Sequence, residues 1–393
     1  MKKLWWLLAS VMLGQKMWKF WLVRRFFARP IPVPTRAVAR VSVLQPILSG
    51  DPTLRECLAA NLAVQTRYPL EFIWLIDSDD TTAQAICAEL ASASARHPVQ
   101  IVALPPPEQR DNPKTIKLIA GLARAQGDIV CVLDDDTRLP DWGLEQCLPF
   151  LDQPGVGLAF GLPYYRYFGT LWSRLVALFV NDHSLLTYVP YTALSQPFTI
   201  NGMFYAMRRE VLAQVGGFSD LESILADDFA VAMRFRQHGY RLVQTPLRHA
   251  ISTFVSGPQH YLSLLQRWFI FPRESLMRHL SPREQAILYG LGALPALFPL
   301  AILLRLAVRR SPATLGYSLI YFGHSLLTFQ QINRDYLGQA TPARYLGLVP
   351  LVELLFPLQL LAALISPQRI VWRGHVMQVE RGGKFHFVRR RSQ

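Results

Sequence analysis

Residues 130–138 read V-C-V-L-D-D-D-T-R. A short apolar run ends abruptly in Asp134, Asp135 and Asp136, in a chain of 393 residues with a formal net charge of +14. With Ile129 the run reads as a strand ending in carboxylates, and the pattern recurs upstream. VSVLQ (41–45), FIWLID (72–77) and VQIVAL (99–104) read as further strands, and 53–66, 81–95 and 113–125 as helices between them. Strands alternating with helices predict an α/β domain whose mostly parallel sheet is buried on both faces. Ligands of such sheets bind beyond the carboxyl ends of the strands. Two acidic clusters fall at such ends: Asp77-Ser78-Asp79-Asp80 and the triplet itself.

Hydrophobic residues make up 51% of the chain but are unevenly spread. Residues 4–23 are dense in Trp, Leu, Met and Phe, and 286–308, 313–329 and 344–365 are long apolar stretches. The expected plan is a membrane anchor (1–28), a soluble domain facing the cytoplasm (36–280), membrane helices (286–366) and a basic cytoplasmic tail (367–393). Residues 4–23 are long enough to span a bilayer. Lys16 and Lys19 interrupt them, so a tilted or interfacial helix is the alternative. No small-residue cleavage site precedes Arg24-Arg25, which disfavours a signal peptide. Arg24, Arg25, Arg29, Arg381, Lys384 and Arg389–Arg391 flank the apolar parts. That placement fits the positive-inside rule and anionic lipid, and predicts an integral protein of the bacterial inner membrane. Three full spans would leave the basic tail outside. Pro295 and Pro299 therefore suggest a re-entrant hairpin over 286–308. Cys57, Cys87, Cys131 and Cys147 lack metal or redox spacing and read as buried reduced thiols, as in a cytoplasmic domain. No basic stripe with interleaved aromatics is present, which argues against nucleic acid as a partner.

If 134–136 continue extended, Asp134 and Asp136 point to one side and Asp135 to the other. Two converging carboxylates repel unless a cation lies between them, and Mg2+ or Mn2+ prefers such oxygens and bridges to substrate phosphates. An Asp-rich turn capping a helix is the plain alternative. A phosphatase of the Asp-x-Asp-x-Thr type is disfavoured because Arg138 stands in the last place. Asp227-Asp228 opens an amphipathic helix, where acids also complement the dipole. Arg267-Trp268 precedes a membrane segment and alone would read as an interfacial anchor.

Taken in order, Asp77, the Asp134/Asp136 pair, Asp228 and Arg267-Trp268 resemble the family-2-type inverting glycosyltransferases of the GT-A fold. More closely, the chain resembles the ceramide glucosyltransferase family. The words that carry this are Q-P-I-L-S-G-D-P-T-L (45–54), S-D-D-T-T-A (78–83), N-P-K-T-I-K-L (112–118), G-L-P (161–163), N-G-M-F-Y-A-M-R-R-E-V-L (201–212), G-G-F (216–218) and A-D-D-F (226–229). W-R-G-H-V-M-Q-V (372–379) extends the resemblance toward the C-terminus. It implies an α/β GT-A domain with membrane helices, acting in glycolipid and sphingolipid biosynthesis on a UDP-sugar, UDP-glucose first, and a lipid such as ceramide. Asp77, with Asp79 beside it, would hold the uridine, and Lys114 would pair with the donor. Asp134 and Asp136 would bind Mn2+ or Mg2+ on the diphosphate, and Asp228 would take the acceptor proton. Arg267 and Trp268 would close over the diphosphate. Asn201, Gly202 and Met203 would line the sugar pocket, with His183, and near it His249, toward the acceptor.

Two departures stand out. The family's last motif begins with Gln or Arg three residues before the Arg-Trp, and Leu264 stands there, with Gln266 as the expected substitute. The aspartate triplet is nearer the general family-2 pattern than the animal ceramide enzymes. Alternative readings are a hopanoid, diacylglycerol or polyprenyl phosphate acceptor, a processive polysaccharide synthase, and a non-enzymatic membrane scaffold.

Overall fold

The computed structural model describes residues 2–391 except 272, 273, 275 and 366. The strands of the main sheet are β1 (Val41–Pro46), β2 (Leu70–Asp77), β3 (Val99–Leu104), β4 (Ile129–Leu133), β5 (Thr137–Arg138), β6 (Val156–Tyr165), β7 (Phe204–Arg208) and β8 (Arg241–Ile251). Their order is β3-β2-β1-β4-β7-β6-β8-β5. The β3-β2-β1-β4 half is parallel, and β7 runs antiparallel to both its neighbours. The α/β class expected from the sequence is therefore what forms.

Alternation along each strand builds both faces of the core. Val43, Trp74, Cys131 and Leu133 face one side, against Leu58 of α2 (Leu54–Leu62) and Cys87 of α3 (Thr81–Ala93). Leu44, Ile73, Leu75 and Val132 face the other, against Leu118 of α4 (Pro113–Leu122). Neither face is left to water, so the strands read as continuous apolar runs. Gln45 is buried among them because its amide oxygen accepts from the Trp74 indole at 2.9 Å. All four cysteines are buried free thiols.

The chain goes from β1 outward to β2 and β3, then returns to place β4 on the other side of β1. This reversal opens a crevice at the carboxyl ends of β1 and β4, where ligands bind in such sheets. It sets Ile47–Ser49, Asp77 and Asp134 around one opening.

Three helices complete the second half of the α/β domain: α5 (Leu171–Leu194), α6 (Arg209–Gln214) and α7 (Asp227–Gln237). The amphipathic α8 (Pro258–Phe271) leads to α9 (Met277–His279), α10 (Pro282–Leu288), α11 (Leu294–Val308), α12 (Pro312–Asp335) and α13 (Val349–Ile365). The N-terminal α1 (Lys2–Phe27) packs along α5. Among the described residues, Pro282–Val308 and Ala343–Ala362 are long and apolar enough to cross a membrane. Helix α1 falls short of that measure, and its Lys19 turns inward and is only 8% exposed.

One expectation changes, and one segment gains structure that its composition did not suggest. Residues Pro282–Val308 form one helical run of 27 residues, not a hairpin. A π-turn at Tyr289–Ala293 absorbs the irregularity, Pro295 lies in the first turn of α11, and Pro299 is carried inside it. The basic tail is folded as β9 (Arg369–Trp372), β10 (His375–Val379) and β11 (Phe385–Arg389), an antiparallel sheet. Ile370, Met377, Phe385 and Phe387 give it a small core against Ile270 of α8.

Gly127 shows how closely β1 and β4 are joined. A Cβ there would lie 2.6 Å from the Ser42 nitrogen and 2.8 Å from the Arg40 carbonyl oxygen. Backbone cannot yield as a flexible side chain does, so Gly127→Val is expected to destabilise the domain by about 1–3 kcal/mol, the usual cost of overpacking. Thermal unfolding of the detergent-solubilised protein measures this, and an unchanged midpoint would contradict the pairing described.

Candidate active site

Asn112-Pro113 starts α4 in a way that organises the site. The Asn112 side chain accepts from the amides of Lys114 and Thr115, and Pro113 occupies the first turn. The same Asn112 amide donates to the carbonyls of Ile224 and Leu225. It thereby ties α4 to the loop that delivers Asp227 and Asp228. Lys114 and Lys117 are three residues apart and share a helix face.

Lys117 Nζ meets Asp77 Oδ2 at 3.0 Å and the Ile47 carbonyl at 2.9 Å. Burial pushes the Asp77 carboxyl up, and Lys117 opposes it. Lys114 Nζ lies 2.6 Å from Asp134 Oδ1, 3.5 Å from Asp227 Oδ2 and 2.8 Å from the Gly202 carbonyl. Burial works against its charge, but Asp134 and Asp227 outweigh it and hold the ammonium well above its ordinary range.

The aspartate triplet is not extended. The Thr137 amide donates to the Asp134 carbonyl at 3.2 Å, which closes a turn. Asp134 reaches Lys114, while Asp136 accepts from the Thr253 hydroxyl at 3.0 Å. Asp135 accepts from the Leu48 amide and receives both arms of the Arg373 guanidinium, at 2.7 and 2.5 Å. Burial first, then the charges of Asp135 and Asp134, push the Asp136 carboxyl up to about 6 against the pull of Arg373. Among the described residues, no three carboxylate, imidazole or thiol side chains converge as a preformed metal cluster. Asp134 and Asp136 could hold a hard cation only together with ligands from a substrate.

Asp227 and Asp228 occupy the first turn of α7. Asp228 Oδ1 accepts from the Phe229 amide at 2.7 Å. Its carboxyl is pushed up to about 7, by burial first and then by Asp227, against Lys114. Gly202 lies close beside it, and a Cβ there would be 3.2 Å from Asp228 Cβ. Asn201 is buried and donates to the Gly161 carbonyl at 2.5 Å, and the Met203 carbonyl accepts from the Asp134 amide at 2.9 Å.

Asp134, Asp136, Asp228, Lys114, Asn201, Gly202, Met203, His183, Arg267 and Trp268 all line one cavity of about 1100 Å³. Its far walls are Pro295, Ala296 and Pro299 of α11 and Phe356 of α13. Trp268 packs near Phe179 and Tyr165. His183 stacks on Phe179, meets Phe356 at a tilt and donates from Nδ1 to the Phe179 carbonyl. Burial keeps its imidazole neutral, down to about 4.

Four expected residues sit otherwise. Asp77 is behind Lys117, which lines the cavity in its place. Asp79 is exposed in the turn after β2, because Asp80 is the residue turned inward, capping α3 and accepting from the Ser49 amide. Gln266 does not replace the motif residue: its amide donates to the carbonyls of Pro367 and Arg369, away from the cavity, while Leu264 lines it. His249 is buried beneath Gly161, outside the cavity lining.

Sequence reading placed Asp227 at a helix start without a part in the site, and passed over Lys117, Thr253 and, above all, Arg373. Arg373-Gly374 is the two-residue turn between β9 and β10, with φ values of +46° and +89°. Positive φ at both centres is the mark of a tight hairpin turn. The turn holds the Arg373 guanidinium at the aspartates, and Arg267 lies over the Trp372 ring at 5.9 Å. The R-G pair inside W-R-G-H was the available signal.

Residues 4–385 match glycosyl transferase family 21. The chain is 28% identical over 246 residues to the O-antigen biosynthesis protein RfbC of Myxococcus xanthus, covering 58% of this chain but only 18% of that relative's length. Among solved structures it resembles the mannosyltransferase PcManGT from Pyrobaculum calidifontis, determined in complex with GDP-Man and Mn2+. That likeness has a TM-score of 0.51 at 19% identity and covers 91% of this chain and 96% of the other, so it shows a shared fold. The chain therefore belongs to glycosyl transferase family 21, the ceramide glucosyltransferase family, and is a glycosyltransferase of the GT-A fold.

Proposed function

We propose that the protein is an inverting transferase that moves a hexose, glucose by family resemblance, from a UDP-sugar to the hydroxyl of a membrane lipid such as ceramide. One observation carries this reading. The carboxylates and the inner faces of two helical runs apolar enough to cross a membrane line the same cavity. A lipid hydroxyl can thus be presented to Asp228 without its chains leaving an apolar environment. The catalytic domain would face the cytoplasm, where UDP-sugars are made and where the flanking arginines place it.

Asp134 and Asp136 offer hard carboxylate oxygens, which suit Mn2+ or Mg2+ when diphosphate oxygens complete the set. When bound, such a cation supplies positive charge to the leaving diphosphate. The chain's own residues do the rest. Asp228 accepts the proton of the acceptor hydroxyl as that oxygen bonds the anomeric carbon. The bond from this carbon to the diphosphate oxygen breaks, and its electron pair leaves with UDP. Attack opposite the leaving group turns an α-donor into a β-glycolipid. Arg267 faces the developing charge on UDP, and Trp268 with Phe179 excludes water. Asn201, Gly202 and Met203 border the sugar, and Asp77 with Lys117 orders the wall near the uridine.

The test is sugar transfer by the detergent-purified protein with Mn2+ or Mg2+, a panel of UDP-sugars and ceramide. Metal-dependent β-glycolipid is expected, with a single sugar added; a long polymer on a gel would instead mark a processive synthase. Asp228→Asn is expected to lower kcat by about 10²–10⁴-fold, the usual weight of a general base. A general base must be ionised, so kcat/KM for the lipid should fall as pH drops through about 7. Asp227→Asn removes a charge that raises Asp228, so its acid limb should move to lower pH. Asp77→Asn weakens the ion pair that orders Lys117 in the cavity wall, so it should raise the KM for the UDP-sugar about tenfold, the scale of a hydrogen bond to a charged group, with the lipid KM little changed.

A further inference from the structure

The mechanism leaves a second group of buried charges unused. Lys16 and Lys19 of α1, Asp182 of α5 and Glu353 of α13 line the same cavity as Asp228. Lys16 Nζ is 2.5 Å from Glu353 Oε1 and 4.1 Å from the Tyr321 ring centre, and it also bonds the Ser325 hydroxyl. Lys19 Nζ donates to the Leu291 carbonyl at 2.5 Å. Asp182 is 3.6 Å from His183 Nδ1. The Glu353 and Asp182 side chains are only 8% and 7% exposed. Glu353 Oε2 is buried with no hydrogen-bond partner.

Ionisable groups among apolar helices are costly and generally mark function. A Lys16–Glu353 pair alone would serve as a clamp between α1 and α13. It would not account for the orphan Oε2, nor for a second acid on α5 facing the same space. An unpaired buried acceptor carries a penalty that a ligand's donor would remove. The cluster stands apart from the chemistry. Tyr188, within electrostatic reach of Asp228, is six residues beyond Asp182 on α5, about 9 Å along the helix. What it holds is therefore another part of the acceptor than the reacting hydroxyl. An anionic headgroup would meet the Glu353 and Asp182 carboxyl groups as well as the lysines. A neutral headgroup with both donors and acceptors finds partners of both kinds.

We propose that Lys16, Glu353 and Asp182 form a recognition subsite for an uncharged, amide- and hydroxyl-bearing lipid headgroup, with Glu353 Oε2 accepting its N–H or O–H and Lys16 donating to its oxygen. The proposal rests on the lipid-acceptor reading above.

The test uses the full chain in nanodiscs with three acceptors: ceramide, diacylglycerol and polyprenyl phosphate. Wild type should show a KM for ceramide at least tenfold below that for diacylglycerol and should leave polyprenyl phosphate unused. The double variant Lys16→Met/Glu353→Leu removes both charges together, so no unpaired ion remains to unfold the helices. It should raise the ceramide KM at least tenfold, erase the preference over diacylglycerol and keep the KM for the UDP-sugar within twofold. A double variant with the wild-type ceramide KM and preference would overturn the subsite while leaving lipid transfer intact. Preference of the wild type for polyprenyl phosphate would do the same. Transfer to no lipid at all would overturn the underlying reading as well. Should the double variant not fold, Asp182→Asn decides by the same ratio of KM values.

Discussion

Lys114 joins three distant parts of the chain: the carboxylate after β4, the carboxylate that opens α7 and the carbonyl before β7. A buried ammonium is stable only in such company, and so are the acids around it. Asp134, Asp227 and Asp228 would otherwise repel across the cavity. The cation therefore fixes how far α7 stands from the end of the parallel sheet, and with it where Asp228 points. Asn112 secures the same arrangement from the other side by capping α4 and holding the carbonyls before Asp227.

Around this centre the cavity has two kinds of wall. Toward the sheet it is charged, with Lys114, Lys117, Arg267 and Arg373 set among the aspartates. Toward α11 and α13 it is apolar except for the cluster about Lys16 and Glu353. The low dielectric of the second wall strengthens every electrostatic contact at the first. Burial there, and then the charge of Asp227, push the Asp228 carboxyl up to about 7. Under the proposed reading, the charged nucleotide and the lipid hydroxyl meet where these two walls join, at Asp228.

The strands were legible because burial on both faces leaves an unbroken apolar run, and Asp77, Asp134 and Asp228 stood out because they sit at strand ends and a helix start. The errors arose where a side chain's direction depends on something remote. The triplet aspartates form a turn, so their spacing did not give their directions. Asp80, not Asp79, turns inward because α3 begins there and needs its cap. Gln266 is drawn off by a tail whose fold its basic composition concealed. Arg373 meets Asp135 across 238 positions, and Lys16 meets Glu353 across 337. Neither pairing leaves a local trace, and the two lysines in α1 read as interruptions of an anchor. Proline misled as well: the π-turn and the first turn of α11 accommodate what looked like breaks.

On the proposed reading the lipid reaches Asp228 through the wall that α11 and α13 form. Ceramide with a photoreactive acyl chain, cross-linked to the protein in nanodiscs and mapped by mass spectrometry, tests this most directly. Labels on Pro295, Ala296, Pro299 and Phe356, increased by UDP, are the expected result. Labels confined to outward-facing positions such as Leu304 and Ile320, with none in the cavity, would contradict it.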